Sequence, residues 1–307
     1  MRVLLAIDGS TASQTASGLV GHLPWPAGST VRIVSAVPIT VPIVTAPGEY
    51  LDFETLAIIE QAQLDTAGEF VAAASAAIGR DGLAVETALP RGAATGAILA
   101  AAADFRADLL VVGSRGHGTR GSVLLGSVSA GLVDHAPCPV LVARRPQLAR
   151  LVLALDGSAA AADALEVVAT WPIFSSAAAT VVTVIAPTPL IVRGVEAKLD
   201  AALARLAGQQ RDNAQQLADA AVTRLLAAGL TAAGRVLDGD PAQRITEAAA
   251  ADQADLVVTG SLGLTGSTRV RLGSVTRRVL HASSTSVLVV RPPDGGMATS
   301  GVRGEDQ

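Results

Sequence analysis

The sequence repeats itself. Arg2-Val3-Leu4-Leu5-Ala6-Ile7-Asp8-Gly9-Ser10 returns as Arg150-Leu151-Val152-Leu153-Ala154-Leu155-Asp156-Gly157-Ser158. Ala107-Asp108-Leu109 returns as Ala254-Asp255-Leu256, and Leu125-Gly126-Ser127-Val128 as Leu272-Gly273-Ser274-Val275. Val140-Leu141-Val142 returns as Val287-Leu288-Val289. The order is kept and the offset is nearly constant, so one domain is written twice. A length of 307 residues suits two domains of ordinary size. The joint falls near Arg145-Pro146-Gln147, which divides the chain into domains 1–146 and 147–293. The remaining stretch, 294–307, is glycine-rich and charged with no apolar period, and is expected to be disordered.

Each copy alternates strand with helix. In the first, strands are expected at Arg2–Ile7, Val31–Val37, Leu83–Leu89, Asp108–Val112 and Val140–Ala143. Helices are expected from Ser10, over Glu49–Ile78 and over Ala93–Phe105. In the second, the strands are Leu151–Leu155, Thr180–Ile185, Thr231–Leu237, Asp255–Thr259 and Ser286–Val290, with a long polar helix over Glu196–Ala228. Aromatics make up only 2% of the chain, so the core must be Val, Leu, Ile and Ala, as in parallel sheets flanked by Ala-rich helices. Alternation with right-handed crossovers implies an α/β fold: two tandem Rossmann-like doubly wound domains. Each would be a five-stranded parallel sheet of order 3-2-1-4-5 with helices on both faces.

In such a sheet ligands sit beyond the carboxyl ends of strands, where strand order reverses. The most repeated motifs fall there. Asp8-Gly9-Ser10 follows the first strand and Gly113-Ser114-Arg115-Gly116 the fourth, with Gly126-Ser127 beyond it. Asp156-Gly157-Ser158 and Gly260-Ser261-Leu262-Gly263, with Gly273-Ser274, match them. A strand opening into glycines and then a helix N-terminus suits phosphate: the backbone approaches closely, its N–H groups point outward and the helix dipole favours an anion. Plain turn and capping roles compete with this, since Asp-Gly-Ser makes a good turn and N-cap. Ser127 and Ser274 equally suit capping of the helices they precede.

Other chemistry is poorly served. The single lysine, Lys198, is not beside a phosphate-loop glycine, which excludes the P-loop class. Gly116-His117-Gly118-Thr119-Arg120-Gly121 matches a dinucleotide fingerprint but follows the fourth strand, and the second copy lacks it. Neither a Gly-x-Ser-x-Gly elbow nor a metal-spaced histidine pair occurs. No acid–base pair is repeated, so no catalytic residue and no metal ligand is assigned. Cys138 is the single cysteine, which excludes an internal disulfide, and it reads as a small buried residue. The net charge of −4 argues against nucleic acid as partner. No run reaches the ~18 apolar residues that span a bilayer, so no membrane partner is expected. The apolar start is too short for a signal peptide, which makes the cytoplasm the expected compartment.

Taken together, a strand ending in Asp-Gly-Ser, then Ala-Asp-Leu-hydrophobic-Val-x-Gly-Ser, the spacing G-x2-G-x9-G-S and a final Val-Leu-Val-x-Arg strand resemble the universal stress protein family. The likeness is to its ATP-binding, tandem two-domain form and covers nearly the whole chain except the tail. The resemblance implies a regulator in stress response or growth arrest that binds ATP in each domain, with or without magnesium, and hydrolyses it weakly or not at all. By the same resemblance, Asp8 and Asp156, with Gly9 and Gly157 beside them, stand near ribose and base. Val37 stands beside adenine, with Ile185 or Ala186 as its counterpart in the second copy. Gly113, Ser114, Arg115, Gly116, His117 and Gly118 form one phosphate loop, closed by Gly126, Ser127 and Val128. Gly260, Ser261, Leu262, Gly263 and Gly266 form the other, closed by Gly273, Ser274 and Val275. It also implies pseudo-symmetric pairing of the domains through Val140–Ala143 and Val287–Val290, with a homodimer as a further assembly. The first loop carries Arg115, His117 and Arg120, whereas the second has Leu262 and Leu264 at the first two matching positions but carries Arg269 and Arg271; both sites are expected to bind ATP, the first more tightly. The alternatives are an interaction module of the same fold that binds no nucleotide, and a weak ATP hydrolase.

Overall fold

The computed structural model describes residues 1–39, 44–46, 49–50, 52–79, 82–116, 125–187, 196–263 and 272–291. In the first half the elements run β1 (Arg2–Ala6), α1 (Thr11–His22), β2 (Thr30–Val34), β3 (Val44–Ala46), β4 (Glu49–Tyr50) and α2 (Phe53–Ile78). They continue with β5 (Ala84–Ala88), α3 (Ala94–Phe105), β6 (Leu109–Gly113), α4 (Ser127–His135) and β7 (Val140–Ala143). The second half has β8 (Arg150–Leu155), α5 (Ala159–Thr170), β9 (Ala178–Ile185), α6 (Glu196–Ala227) and β10 (Thr231–Asp238). It ends with α7 (Pro241–Ala251), β11 (Leu256–Gly260), α8 (Ser274–Ala282) and β12 (Ser286–Val290).

The main sheet is ordered β10-β9-β8-β11-β12-β7-β6-β1-β2-β5. Each half therefore has the order 3-2-1-4-5 and is parallel throughout, as its near-continuous apolar strands require. The halves are thus tandem doubly wound α/β units of the Rossmann-like kind. Where they meet, β7 and β12 pair antiparallel, with Val140 opposite Val289, Leu141 opposite Leu288 and Val142 opposite Val287. The result is one continuous ten-stranded sheet.

Side-chain alternation along the strands feeds two apolar layers. Val3, Leu5 and Ile7 join Leu151, Leu153 and Leu155 under α1, α2, α5 and α6. Leu4 and Ala6 join Val152 and Ala154 under α3, α4, α7 and α8. Equivalent helices of the two halves thus lie on the same face. Since the seam strands are antiparallel, the carboxyl ends of the two sets of strands point in opposite directions.

The repeated Ala-Asp-Leu motif is structural. Asp108 accepts from the backbone N–H of Arg2 at 2.6 Å, and Asp255 accepts from Ala149 and Arg150, each at 3.0 Å. Each carboxylate pins the start of its half's first strand.

Several expected boundaries move. The helix expected from Glu49 begins at Phe53, because the Asp52 carboxylate accepts from the Thr55 N–H at 2.6 Å and fixes the N-cap there. The strand expected to run to Val37 ends at Val34, and Val37 makes only an isolated bridge to Arg91. A short 3₁₀ turn, Pro172–Phe174, was not foreseen. The stretch 294–307 lies outside the described residues, as do His117, Gly118, Arg120, Leu264, Gly266, Arg269 and Arg271.

Candidate functional site

Both Asp-Gly-Ser turns are built alike. The glycine takes a left-handed backbone, with φ of +80° at Gly9 and +81° at Gly157, which glycine adopts without the strain a side chain would add. The Asp8 carboxylate accepts from the Ser10 N–H at 3.0 Å, and Asp156 accepts from Ser158 at 2.9 Å. The serine then caps the following helix: Ser10 Oγ accepts from Ser13 N–H and Ser158 Oγ from Ala161 N–H, each at 3.2 Å. Each serine hydroxyl also donates across the crevice, Ser10 to the Arg115 carbonyl and Ser158 to the Leu262 carbonyl, both at 3.1 Å. The loop after the first strand is in this way tied to the loop after the fourth.

The glycine loops are closed by the same contacts in both copies. Gly126 N–H donates to the Ser114 carbonyl at 2.9 Å, and Gly273 N–H to the Ser261 carbonyl at 2.7 Å. Ser129 donates to the Gly113 carbonyl and Thr276 to the Gly260 carbonyl, each at 2.8 Å. A Cβ on Gly113 would come within 2.6 Å of the Ala12 backbone, and one on Gly260 within 2.6 Å of the Ala160 backbone. Glycine at these positions lets a helix seat directly on the strand end.

Capping does not fall to Ser127 and Ser274. The N-caps are Gly126 and Gly273, neither with a side-chain cap bond, and the serines are the first helical residues. The first turns of α4 and α8 therefore keep N–H groups that no capping side chain takes up, at the positive ends of their helix dipoles.

In the second half these parts enclose a cleft of about 490 Å³. Asp156, Gly260, Leu262, Gly263, Gly273, Ser274 and Val275, all named from the sequence, are brought together in its lining. Its apolar end comes from Val182, Val184, Ala186, Pro241 and Ile245, of which sequence reading named Ala186 alone, as the alternative to Ile185. Ile185 is not in the lining. Its carbonyl accepts from the Gly239 N–H at 3.0 Å, and its neighbours on either side face the cleft. Gly157 and Ser261 are also absent from the lining; they shape the turn and close the loop.

The first half brings together Asp8, Gly9, Ser114, Arg115, Gly116 and Gly126 by the same bonds. Val128 packs on the apolar layer beneath them. Val37 is buried, and its backbone is engaged: its N–H donates to Pro90 and its carbonyl accepts from Gly92, both at 2.9 Å. Ala6 pairs with Val34 as Ala154 pairs with Val182, so Ala36 and Pro38 take the places of Val184 and Ala186. The missed signal was period two along β9, which decides that Val182 and Val184 face the cleft. Asp240-Pro241 is an N-cap followed by Pro at the first helical position, which marks the start of α7 beside it.

Among the described residues no cluster of His, Cys, Asp and Glu is placed to hold a metal ion. Nor, among them, is any helix long and apolar enough to cross a membrane.

Tandem doubly wound domains, each with a glycine-loop crevice at the point where strand order reverses, define the class of α/β protein to which this fold belongs. The model of the universal stress protein family matches residues 1–144 and again 148–291. The chain belongs to the universal stress protein family. Universal stress protein Rv1996 of Mycobacterium tuberculosis is 28% identical, with 95% of each chain aligned. Universal stress protein Rv2005c of the same organism is 34% identical over 198 residues, which is 60% of this chain and 62% of that relative. The chain thus spans less than two thirds of the latter's length. A universal stress protein from Archaeoglobus fulgidus has the same fold, with a TM-score of 0.68 over 94% of this chain and 98% of its own at 19% identity.

Proposed function

We propose that the protein binds ATP in the crevice of each half and acts as a nucleotide-responsive regulator in stress response or growth arrest. The observation that carries this is the second half's cleft, which joins an apolar slot, a carboxylate and a glycine loop ending in a helix N-terminus. Val182, Val184 and Ile245 suit a purine ring. Asp156 suits a ribose hydroxyl. The backbone N–H groups of Gly263, Ser274 and Val275 suit phosphates. ATP, with or without magnesium, fits this donor set. Among the described residues that line the cleft there is no lysine and no base paired with a nucleophile, which favours holding the nucleotide over cleaving it. The domain division at 146/147 and pseudo-symmetric pairing of the halves belong to the same proposal, supported by the matched Leu141–Leu288 register.

The expectation that the first half binds more tightly is refined by the lining. Val184 gives the second half more apolar contact than Ala36 gives the first, while Arg115 gives the first half a charge that Leu262 withholds. Adenosine binding should therefore favour the second half and phosphate dependence the first.

The test is to denature freshly purified protein and identify released small molecules by chromatography and mass spectrometry. ATP at one to two equivalents is expected. ADP alone would turn attention to hydrolysis. No release together with no calorimetric ATP binding would overturn the reading in favour of an interaction module of this fold.

A further inference from the structure

A second cavity, of about 610 Å³, lies at the seam of the two halves, on the α1 side of the first glycine loop. Ser10, Thr15, Arg115, Arg144, Ser283 and Ser284 are among its polar lining, and among the described residues none that lines it is acidic. Arg144 comes from the end of β7 and crosses the seam. Its Nη1 donates to the Thr285 carbonyl at 3.2 Å and its Nη2 to the Leu280 carbonyl at 2.7 Å. Two of its five N–H groups are used in this way, on neutral acceptors. Among the described residues, neither Arg144 nor Arg115 is in an ion pair with a carboxylate.

The two guanidiniums feel each other. Burial first, and then the charge of Arg115, push the Arg144 guanidinium down to about 10. Two like charges sharing a partly desolvated cavity are held at a cost that an anion between them would relieve. The seam arginine recurs, since the Arg291 Nη2 donates to the Val133 carbonyl, but the pairing of two arginines with serines is built once among the described residues. At the opposite seam Leu262 stands in place of Arg115, and the C-cap of α4 is Ala136, followed by Pro137, where the C-cap of α8 is Ser283, followed by Ser284.

We propose that this seam cavity binds a tetrahedral oxyanion of phosphate chemistry, gripped by Arg115 and Arg144 with the serine and threonine hydroxyls around it. Arginine forks and hydroxyls are the groups that recognise such an ion. The phosphate arrives either as the free ion or as the terminal phosphate of a nucleotide held on the first half's loop. The site does not depend on the nucleotide reading of the second half's cleft, because inorganic phosphate probes it directly.

The experiment is calorimetric titration of the full chain with inorganic phosphate, and separately with ATP and AMP, for the wild type, Arg144→Gln and Ser284→Glu. Saturable phosphate binding that weakens about tenfold or more in both variants supports the free ion. ATP affinity that falls about tenfold in both variants while AMP affinity holds supports the nucleotide's terminal phosphate. Ser284→Glu places a carboxylate among the guanidiniums, so it also raises Tm without added phosphate. It keeps the test decisive where Arg144→Gln does not fold. Wild-type protein that shows no saturable phosphate binding, with ATP affinity unchanged in Ser284→Glu, overturns the proposal. Phosphate binding that persists undiminished in Ser284→Glu overturns it as well. Failure of the cleft to bind ATP, read separately in Gly263→Ala, leaves this result untouched.

Discussion

Gly116 sits against the carboxylate of Asp8: a Cβ built on the glycine would lie 2.5 Å from Oδ2. The same relationship holds between Gly263 and Asp156, at 2.7 Å. Two loops separated by most of a domain are in each case pressed together at one acidic oxygen. A methyl group added here meets the end of a movable side chain, so the carboxylate turns away and the fold survives. Gly263→Ala and Gly116→Ala are therefore expected to cost less than about 1 kcal/mol of stability. Each should weaken ATP binding at its own crevice about tenfold, because the carboxylate leaves the place proposed for the ribose. Calorimetry on the two single variants and the double measures this. Unchanged affinity in both single variants would remove Asp8 and Asp156 from the site.

Gly113 and Gly260 make the contrasting case. An added methyl there meets the backbone of α1 or α5, which has no rotamer to yield. Gly113→Ala or Gly260→Ala is expected to cost about 1–3 kcal/mol, as overpacking does in a close-packed core. Urea denaturation gives the answer. A loss no larger than that of Gly116→Ala would contradict the direct seating of helix on strand.

These two glycine pairs show what was legible from the chain. Strands buried on both faces must be apolar throughout, so β1, β6, β7 and their repeats stand out as runs such as Leu109-Leu110-Val111-Val112. The loops stood out because they recur, and recurrence of two distant motifs fixed their convergence on one crevice. The apolar lining did not stand out. Whether Val184 or Ile185 faces the ligand depends on strand register, which a run of six apolar or β-branched residues leaves open. Pro241 and Ile245 come from a helix that nothing local ties to the glycine loop. The Val-Leu-Val-x-Arg ending marks Arg144, but its contacts were equally hidden, since it acts on carbonyls of the other half.

The seam itself predicts coupling between the halves. Leu141 and Leu288 face each other across the antiparallel pair, each 1% exposed. Either strand alone would leave an apolar sheet edge open to water. Leu288→Ala is expected to cost about 2–5 kcal/mol. It should also split a single unfolding transition into two, since this pair of strands joins the two halves of the sheet. Calorimetric scanning distinguishes the cases. A single transition at an unchanged Tm would show that the seam contributes little to stability.

Cys138 gives a prediction with a sign that can be worked out. It lies between Pro137 and Pro139 and is 6% exposed. Burial, with a smaller push from the Asp108 charge, raises the thiol from 9.0 to about 12. The native state therefore holds its proton more tightly than the unfolded chain does. Below the unfolded value the thiol is protonated in both states and its contribution is fully present. Between the unfolded value and the folded one, the unfolded chain loses its proton first, so stability falls as pH rises through that window. At pH 8 the native thiol should resist alkylation by iodoacetamide and react only after denaturation, because the thiolate is the nucleophile. Time-resolved mass spectrometry with and without urea reads this directly. Labelling of the native protein at the rate of the unfolded chain would mean that the strand leading into the seam opens far more readily than its burial allows.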